Sequence, residues 1–124
     1  MNCPKCQGSM PTVDHEDTTV NRCTKCGGLW FDLLEHEDLK GKPGSERIDS
    51  GDPAQGQKHD ARGQIMCPID NVRMIRMVDA AQPHIWFESC PVCHGAFFDA
   101  GEFTDFKERT LIEMFRGRKR KRPL

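Results

Sequence analysis

The chain has 124 residues, 36% of them hydrophobic, and its formal net charge of −1 argues against a uniformly basic nucleic-acid-binding surface. No apolar run approaches the roughly 20 residues that span a membrane, and no apolar stretch follows Met1 as in a signal peptide. Seven cysteines, an odd number, do not suit a disulfide framework. We therefore expect a protein of the reducing cytoplasm.

The first predicted element is a pair of Cys-x-x-Cys turns, Cys3-Pro-Lys-Cys6 and Cys23-Thr-Lys-Cys26. Two thiolates three positions apart on a tight turn can reach one ion, and two facing turns supply the four tetrahedral ligands of a structural Zn²⁺. The sequence therefore predicts a closed Cys₄ zinc site. A redox Cys-x-x-Cys motif is the alternative, but it lacks the βαβ context that such motifs use.

The second pair of cysteines is followed by a strand and a short helix. Gly27 and Gly28 can adopt the left-handed conformation that points backbone N–H groups at thiolate sulfur. Asp32 with Glu35 is typical of a helix N-cap with its capping-box partner, and it predicts a helix from Leu33 to Lys40. We define the first unit as residues 1–40.

A segment poor in apolar residues follows, over residues 41–64. It holds five glycines and two prolines and cannot bury enough surface to order itself. The composition predicts a flexible linker that transmits little between the parts of the chain on either side. Each part is then expected to fold on its own metal, because units of roughly 40 residues need metal or disulfides to be stable.

A second unit, residues 65–116, repeats the first. Gly95-Ala-Phe-Phe-Asp99 matches Gly28-Leu-Trp-Phe-Asp32, and the metal-ligating pattern returns with an aspartate in place of one cysteine. The residues of this second site are Cys67, Asp70, Cys90 and Cys93. A carboxylate oxygen is a normal zinc ligand, so Asp70 can complete a Cys₃Asp site. The alternatives are a nearby histidine, His94 or His84, or an open position that water fills.

The second unit ends in a longer helix than the first, predicted from Ala100 to about Arg116. Apolar residues at helical spacing, from Phe103 to Phe115, give this helix a buried stripe. A basic tail over residues 117–124 follows. Six C-terminal cations leave a formal charge of −7 on the rest of the chain; they are Arg116, Arg118, Lys119, Arg120, Lys121 and Arg122.

Four aromatic residues, Trp30, Phe31, Phe97 and Phe98, follow the second turn of each unit. They are either a platform on which nucleic-acid bases stack or the small core of each unit. Alternation along a strand predicts that one residue of each pair is buried and the other exposed. We favour the core.

The pattern Met-x-Cys-Pro-x-Cys, then Cys-x-x-Cys-Gly-Gly-x-Trp-Phe-Asp-x-x-Glu, spans Met1 to Glu35 and resembles the transcription factor IIB-type zinc-ribbon family. The second copy, from Met66 to Glu102, resembles it too. The resemblance implies a small metal-stabilised α+β fold of two tandem zinc ribbons with two Zn²⁺ per chain. The resemblance also implies that seven cysteines are metal ligands: Cys3, Cys6, Cys23, Cys26, Cys67, Cys90 and Cys93. Asp70 is assigned as a ligand only because it occupies the position equivalent to Cys6.

The sequence predicts a binding protein and no enzyme, since it shows no catalytic triad, phosphate-binding glycine loop or paired acid and base. Nucleic acid, reached through the basic tail, or the transcription machinery is the first hypothesis for the partner. A protein–protein adaptor is the second. A redox or zinc-handling protein that uses the imperfect second site is the third. Neither a membrane nor a small-molecule substrate is indicated.

Overall fold

A computed structural model describes residues 1–33, 35–54, 65–78 and 86–107. These residues contain six strands, a short α-helix, a 3₁₀ helix and a further helical segment, and residues 53–54 are helical as well. The strands are β1 (Thr12–His15), β2 (Thr18–Arg22), β3 (Leu29–Phe31), β4 (Ile75–Val78), β5 (Trp86–Ser89) and β6 (Ala96–Phe98). The helices are α1 (Glu35–Lys40), the 3₁₀ helix (Ser45–Ile48) and α2 (102–107). Among the described residues, no helix is long and apolar enough to cross a membrane.

All six strands form one antiparallel sheet in the order β1-β2-β3-β6-β5-β4. Each unit contributes a three-stranded meander, and the two meanders meet along β3 and β6, where Trp30 lies opposite Phe97. The predicted small α+β fold with two metal-binding groups is confirmed. The division into domains stays a prediction, but the continuous sheet joins the two units directly.

The aromatic residues of the central strands are all buried, which confirms that they form the core. Trp30, Phe31, Phe97 and Phe98 are each fully buried. The predicted alternation of buried and exposed residues was wrong, because both faces of the sheet are covered. Trp30 and Phe97 pack with the metal-site cysteines on one face, and Phe31 and Phe98 pack with the helices on the other. A base-stacking platform therefore cannot be built from these four side chains.

Two glycines let the units approach each other closely. A Cβ on Gly28 would lie 2.3 Å from Cζ of Phe97, and a Cβ on Gly95 would lie 2.2 Å from Cζ2 of Trp30. Each unit thus provides the space that the other unit's aromatic ring fills. The sequence predicted a left-handed backbone at Gly27 and Gly28; Gly27 has it, with a φ of 76°, and Gly28 does not. The role of Gly28 and Gly95 is close packing.

The helix starts depart slightly from the prediction. Glu35 accepts a hydrogen bond from the backbone N–H of Asp32 at 3.0 Å, and the Glu35 N–H donates to the Asp32 carbonyl at 2.9 Å. This is half of the predicted capping box, because the Asp32 carboxylate accepts instead from Nε1 of Trp30 at 3.2 Å. The helix begins at Glu35 and not at Leu33. In the second unit α2 covers 102–107, and the predicted extension to Arg116 lies outside the described residues.

Part of the predicted flexible linker is ordered. Residues 45–48 form the 3₁₀ helix, in which Ser45 and Ile48 are buried. The Asp49 carboxylate then accepts hydrogen bonds from the backbone N–H groups of Gly101 and Thr104, both at 2.9 Å, at the start of α2. In this stretch Ile48, the Asp49 carboxylate and the Ser45 hydroxyl, which donates to the Leu39 carbonyl at 2.6 Å, provide anchoring contacts that the composition does not reveal. Residues 55–64 lie outside the described part of the chain.

A buried cluster of charges also links the units. Lys5 lies between two zinc-site cysteines of the first unit, yet its Nζ is 2.7 Å from Oδ2 of Asp99 and 3.3 Å from Oε1 of Glu88 in the second. The Lys5 side chain is fully buried and lies over the Phe97 ring. Burying a charge costs desolvation free energy, and the attraction between opposite charges offsets that cost only when the two groups are closely paired. The first turn of one unit is therefore fixed against the other unit.

Candidate metal centres

The first site brings together the four predicted cysteines. The Sγ atoms of Cys3, Cys6, Cys23 and Cys26 all lie within 4.8 Å of one another. Sγ of Cys3 is 3.7 Å from that of Cys26, and Sγ of Cys6 is 3.3 Å from that of Cys23. Four sulfurs held tetrahedrally at about 2.3 Å from Zn²⁺ lie about 3.8 Å apart. The arrangement fits one zinc ion with no position left for water.

Backbone N–H groups lie within hydrogen-bonding distance of the sulfurs, as is common in structural zinc sites. The N–H groups of Lys25 and Cys26 lie 3.4 Å from Sγ of Cys23, and the N–H of Gly28 lies 3.4 Å from Sγ of Cys26. Such hydrogen bonds stabilise the thiolate form that metal binding requires. The tight turns that follow from Cys-x-x-Cys spacing therefore supply both the ligands and the donors.

The neighbouring thiols of this site shift one another's pKa values. A hydrogen bond from Cys26 lowers the pKa of Cys3 to about 5, and the same contact raises the pKa of Cys26 far above its ordinary value. Burial raises the pKa of Cys6. Four neighbouring thiols in a buried site cannot all ionise without a cation, so zinc binding must displace protons from them.

The second site keeps this geometry with a carboxylate in one position. Ligand atoms of Cys67, Asp70, Cys90 and Cys93 lie within 4.8 Å of one another. Oδ2 of Asp70 is 3.9 Å from Sγ of Cys67 and 3.5 Å from Sγ of Cys90. A zinc-bound oxygen at about 2.1 Å and a sulfur at about 2.3 Å lie about 3.6 Å apart in a tetrahedron. The donor set fits a Cys₃Asp zinc site.

The turn that carries Asp70 matches the turn that carries Cys6. The N–H groups of Ile69 and Asp70 both lie 3.4 Å from Sγ of Cys67. The next residue, Asn71, has a positive φ of 54°, as does Gln7 at 65° in the first unit. The aspartate therefore occupies a complete ligand turn, and its backbone shows no departure from that of the cysteine turn.

Of the two histidines considered as the fourth ligand, His94 and His84, only His94 lies among the described residues. His94 is exposed, has a φ of 62° and donates its backbone N–H to the Cys90 carbonyl at 3.0 Å. It occupies the position of Gly27 and does not belong to the ligand group among the described residues. His84 and the basic run from Arg116 lie outside the described residues.

Sequence reasoning missed two features that distinguish the units. One is the burial of Lys5. Its only signal in the sequence is that the equivalent position in the first ligand turn of the second unit holds an apolar residue, Ile69. The other is β4, whose four residues are all exposed. Its signal in the sequence is the β-prone apolar stretch Met74-Ile-Arg-Met-Val78.

Comparison with known proteins identifies one part of the chain. Residues 2–42 match the family model of the TFIIB-type zinc ribbon, described as a transcription factor zinc-finger. Zinc ribbons of this family are generally non-enzymatic. Neither a curated protein nor a solved structure matches the chain. The match contains the whole first site and α1, and the second unit repeats its strands and its ligand turns. Residues 2–42 are thus similar to a zinc ribbon of the TFIIB type, and the chain carries two cysteine-rich sites that suit two Zn²⁺ ions.

Proposed function

We propose that the protein is a non-enzymatic binding protein of the cytoplasm, in which two zinc ions stabilise a surface for a protein partner of the transcription machinery. Asp70 serves as the fourth ligand of the second zinc. The ions have a structural role, since the described ligands fill all four tetrahedral positions at each site and leave none for a substrate.

One observation supports a protein partner over the other candidates. Large apolar side chains are exposed at seven positions of the second unit, but only at Met1 and Leu33 among the described residues of the first. The seven are Met66, Ile69, Ile75, Met77, Val78, Trp86 and Val92. Four of them, Ile75, Met77, Val78 and Trp86, lie on the neighbouring strands β4 and β5, and exposed apolar groups that lie together are typical of protein-interaction surfaces. The motif aromatics that would stack on bases are buried, which weighs against nucleic acid as the main partner of the sheet.

The experiment is a pull-down from native lysate with the zinc-loaded full chain, with and without nuclease. We expect a specific protein to be captured in both conditions. Removal of both zinc ions by a chelator should abolish capture, because the surface depends on the fold. Capture of nucleic acid alone, or capture of protein that nuclease abolishes, would contradict the proposal.

A second candidate, nucleic-acid binding, is favoured by the six cations from Arg116 to Arg122. The rest of the chain carries a formal charge of −7, so its field should repel phosphates at long range. Binding through the tail should be weak, non-specific and lost at high salt. Deletion of residues 117–124 should abolish it in titrations of labelled duplex and single strands at two salt concentrations. Equal binding by the truncated chain would place the nucleic-acid surface elsewhere.

A further inference from the structure

The sheet has two edges, β1 and β4, and they differ in their exposed surface. In β1 only Thr12 and Asp14 are exposed, whereas all four residues of β4 are. An edge strand presents backbone N–H and C=O groups that can pair with another strand. Proteins usually protect such edges with charges or a covering segment, and the first unit uses both.

The covering segment is the 3₁₀ helix. Its Ile48 is buried in the cluster that contains Val20, and Val13 packs against the same cluster. In the repeat, Val13 corresponds to Met77. Met77 pairs with Phe87, so it lies on the same, helix-facing side of the sheet, yet it is 42% exposed. Among the described residues, the helix-facing side of the edge strand is therefore covered by the 3₁₀ helix in the first unit and by no equivalent segment in the second.

The charges at the two edges are opposite. Residues 73–78 include Arg73 and Arg76 and no acidic residue, whereas the equivalent residues 9–14 include Asp14 and no basic residue. Arg76 lies beside Glu88, with Nη2 at 3.3 Å from Oε2, and over the Trp86 ring. A segment with acidic side chains is thus attracted to β4 and repelled by β1.

We propose that β4 receives an extended segment of a partner protein as a seventh strand, in which apolar and acidic side chains alternate. Apolar residues of this segment would lie beside Ile75 and Met77 on the helix-facing side. Its acidic residues would lie on the opposite side, near Arg76 and Trp86. Backbone pairing supplies affinity, and the alternating side chains supply specificity. This inference rests on the proposed function, since it names the surface and the chemistry of the protein partner.

The test uses two synthetic peptides, one of alternating Val and Glu and a matched one of alternating Val and Lys. Each is titrated into the zinc-loaded full chain while amide spectra are recorded. We expect the Glu peptide to shift the amides of residues 75–78 and 86–89 and to leave β1 unchanged. The Lys peptide should bind at least about tenfold more weakly, because like charges then meet at Arg76.

Two exposed positions provide matched variants. Val78→Asp gives β4 the residue that the first unit carries as Asp14, and it should weaken binding of the Glu peptide about tenfold. Asp14→Asn on β1 is the control and should change binding less than about twofold. Both side chains are exposed, so both variants should keep the amide spectrum of the folded protein.

Several results would overturn the inference. One is the absence of amide shifts with about 1 mM Glu peptide; another is equal binding of the two peptides. Concentration-dependent self-association that Val78→Asp abolishes would make a second copy the occupant. Shifts of Trp86 with a labelled single strand, and none with the peptide, would make nucleic acid the occupant. If the Val78→Asp variant still captures the same lysate protein, the proposed function stands and β4 is not the binding surface. If the wild-type chain captures no protein at all, the proposed function itself is refuted.

Discussion

In the first ligand turn of the first unit, Lys5 carries a buried ammonium that contacts carboxylates of the second unit; at the same position of the second unit, Ile69 is 54% exposed. The backbones of the two turns match, because metal ligation and N–H···S contacts determine them. The residues between the ligands are therefore free to differ. One turn uses that freedom to join the units, and the other uses it to present an apolar side chain to solvent.

The largest effect on stability is expected from Cys6→Ser, which tests whether the two units fold together. Structural zinc contributes roughly 10–16 kcal/mol to the folding of small zinc units. Because Trp30 and Phe97 pack in one cluster with cysteines of both sites, loss of the first site should unfold both units. The amide spectrum of the zinc-supplemented variant should lose dispersion throughout. Retention of native shifts in β4, β5 and β6 would show that the second unit folds alone, as the linker composition predicts.

The next test converts the first turn to the residue type of the second. Lys5→Ile leaves Asp99 and Glu88 buried without the ammonium, and we expect a loss of about 3–5 kcal/mol in the free energy of unfolding. Lys25→Ala is the control, since Lys25 is exposed at the same position of the first unit's other turn and should cost less than about 0.5 kcal/mol. Chemical denaturation in excess zinc measures both. Equal, small losses would mean that the buried pair contributes nothing to joining the units.

A smaller effect is expected from Gly95→Ala. The added methyl meets the Trp30 ring, and overpacking of this kind costs about 1–3 kcal/mol. Gly41→Ala is the control, because the nearest atom to its Cβ is Asp38 O at 3.9 Å. Combining Gly95→Ala with Trp30→Phe should cost less than the two single changes together, since the smaller ring makes room. Strict additivity would show that the contact across the units is not the cause.

The smallest expected effect concerns the second metal. Asp70→Cys should tighten zinc binding at this site by about tenfold, near 1.4 kcal/mol, because a thiolate is the softer ligand. Asp70→Ala should weaken it, and Asp105→Ala, at an exposed aspartate, should leave it unchanged. Competition with a chromophoric chelator measures all three. Unchanged affinity in Asp70→Ala would exclude the carboxylate as the fourth ligand.

Much of the metal chemistry could be predicted from the sequence, because ligand spacing is a local property. The two groups of ligand residues are brought together as predicted, and the strand after each second turn is present. The relation between the units could not be predicted, since it depends on contacts distant in sequence. Asp49 and Gly101, for example, are 52 positions apart, and nothing near Asp49 indicates that it caps α2. A glycine-rich composition therefore indicated flexibility where a few anchoring contacts produce order.

The pairing of β3 with β6 has a consequence for the origin of the chain. Trp30 lies opposite Phe97, which is also its counterpart in the repeat, so an approximate two-fold axis passes between these rings. A peptide holding one unit would reach this arrangement only by association of two identical copies, which dilution reverses. Joining the copies in one polypeptide makes the association intramolecular and independent of concentration. In a homodimer the two units must have the same sequence, whereas in one polypeptide they can differ. Equivalent positions on the two sides of the axis can therefore hold a lysine, Lys5, and an isoleucine, Ile69.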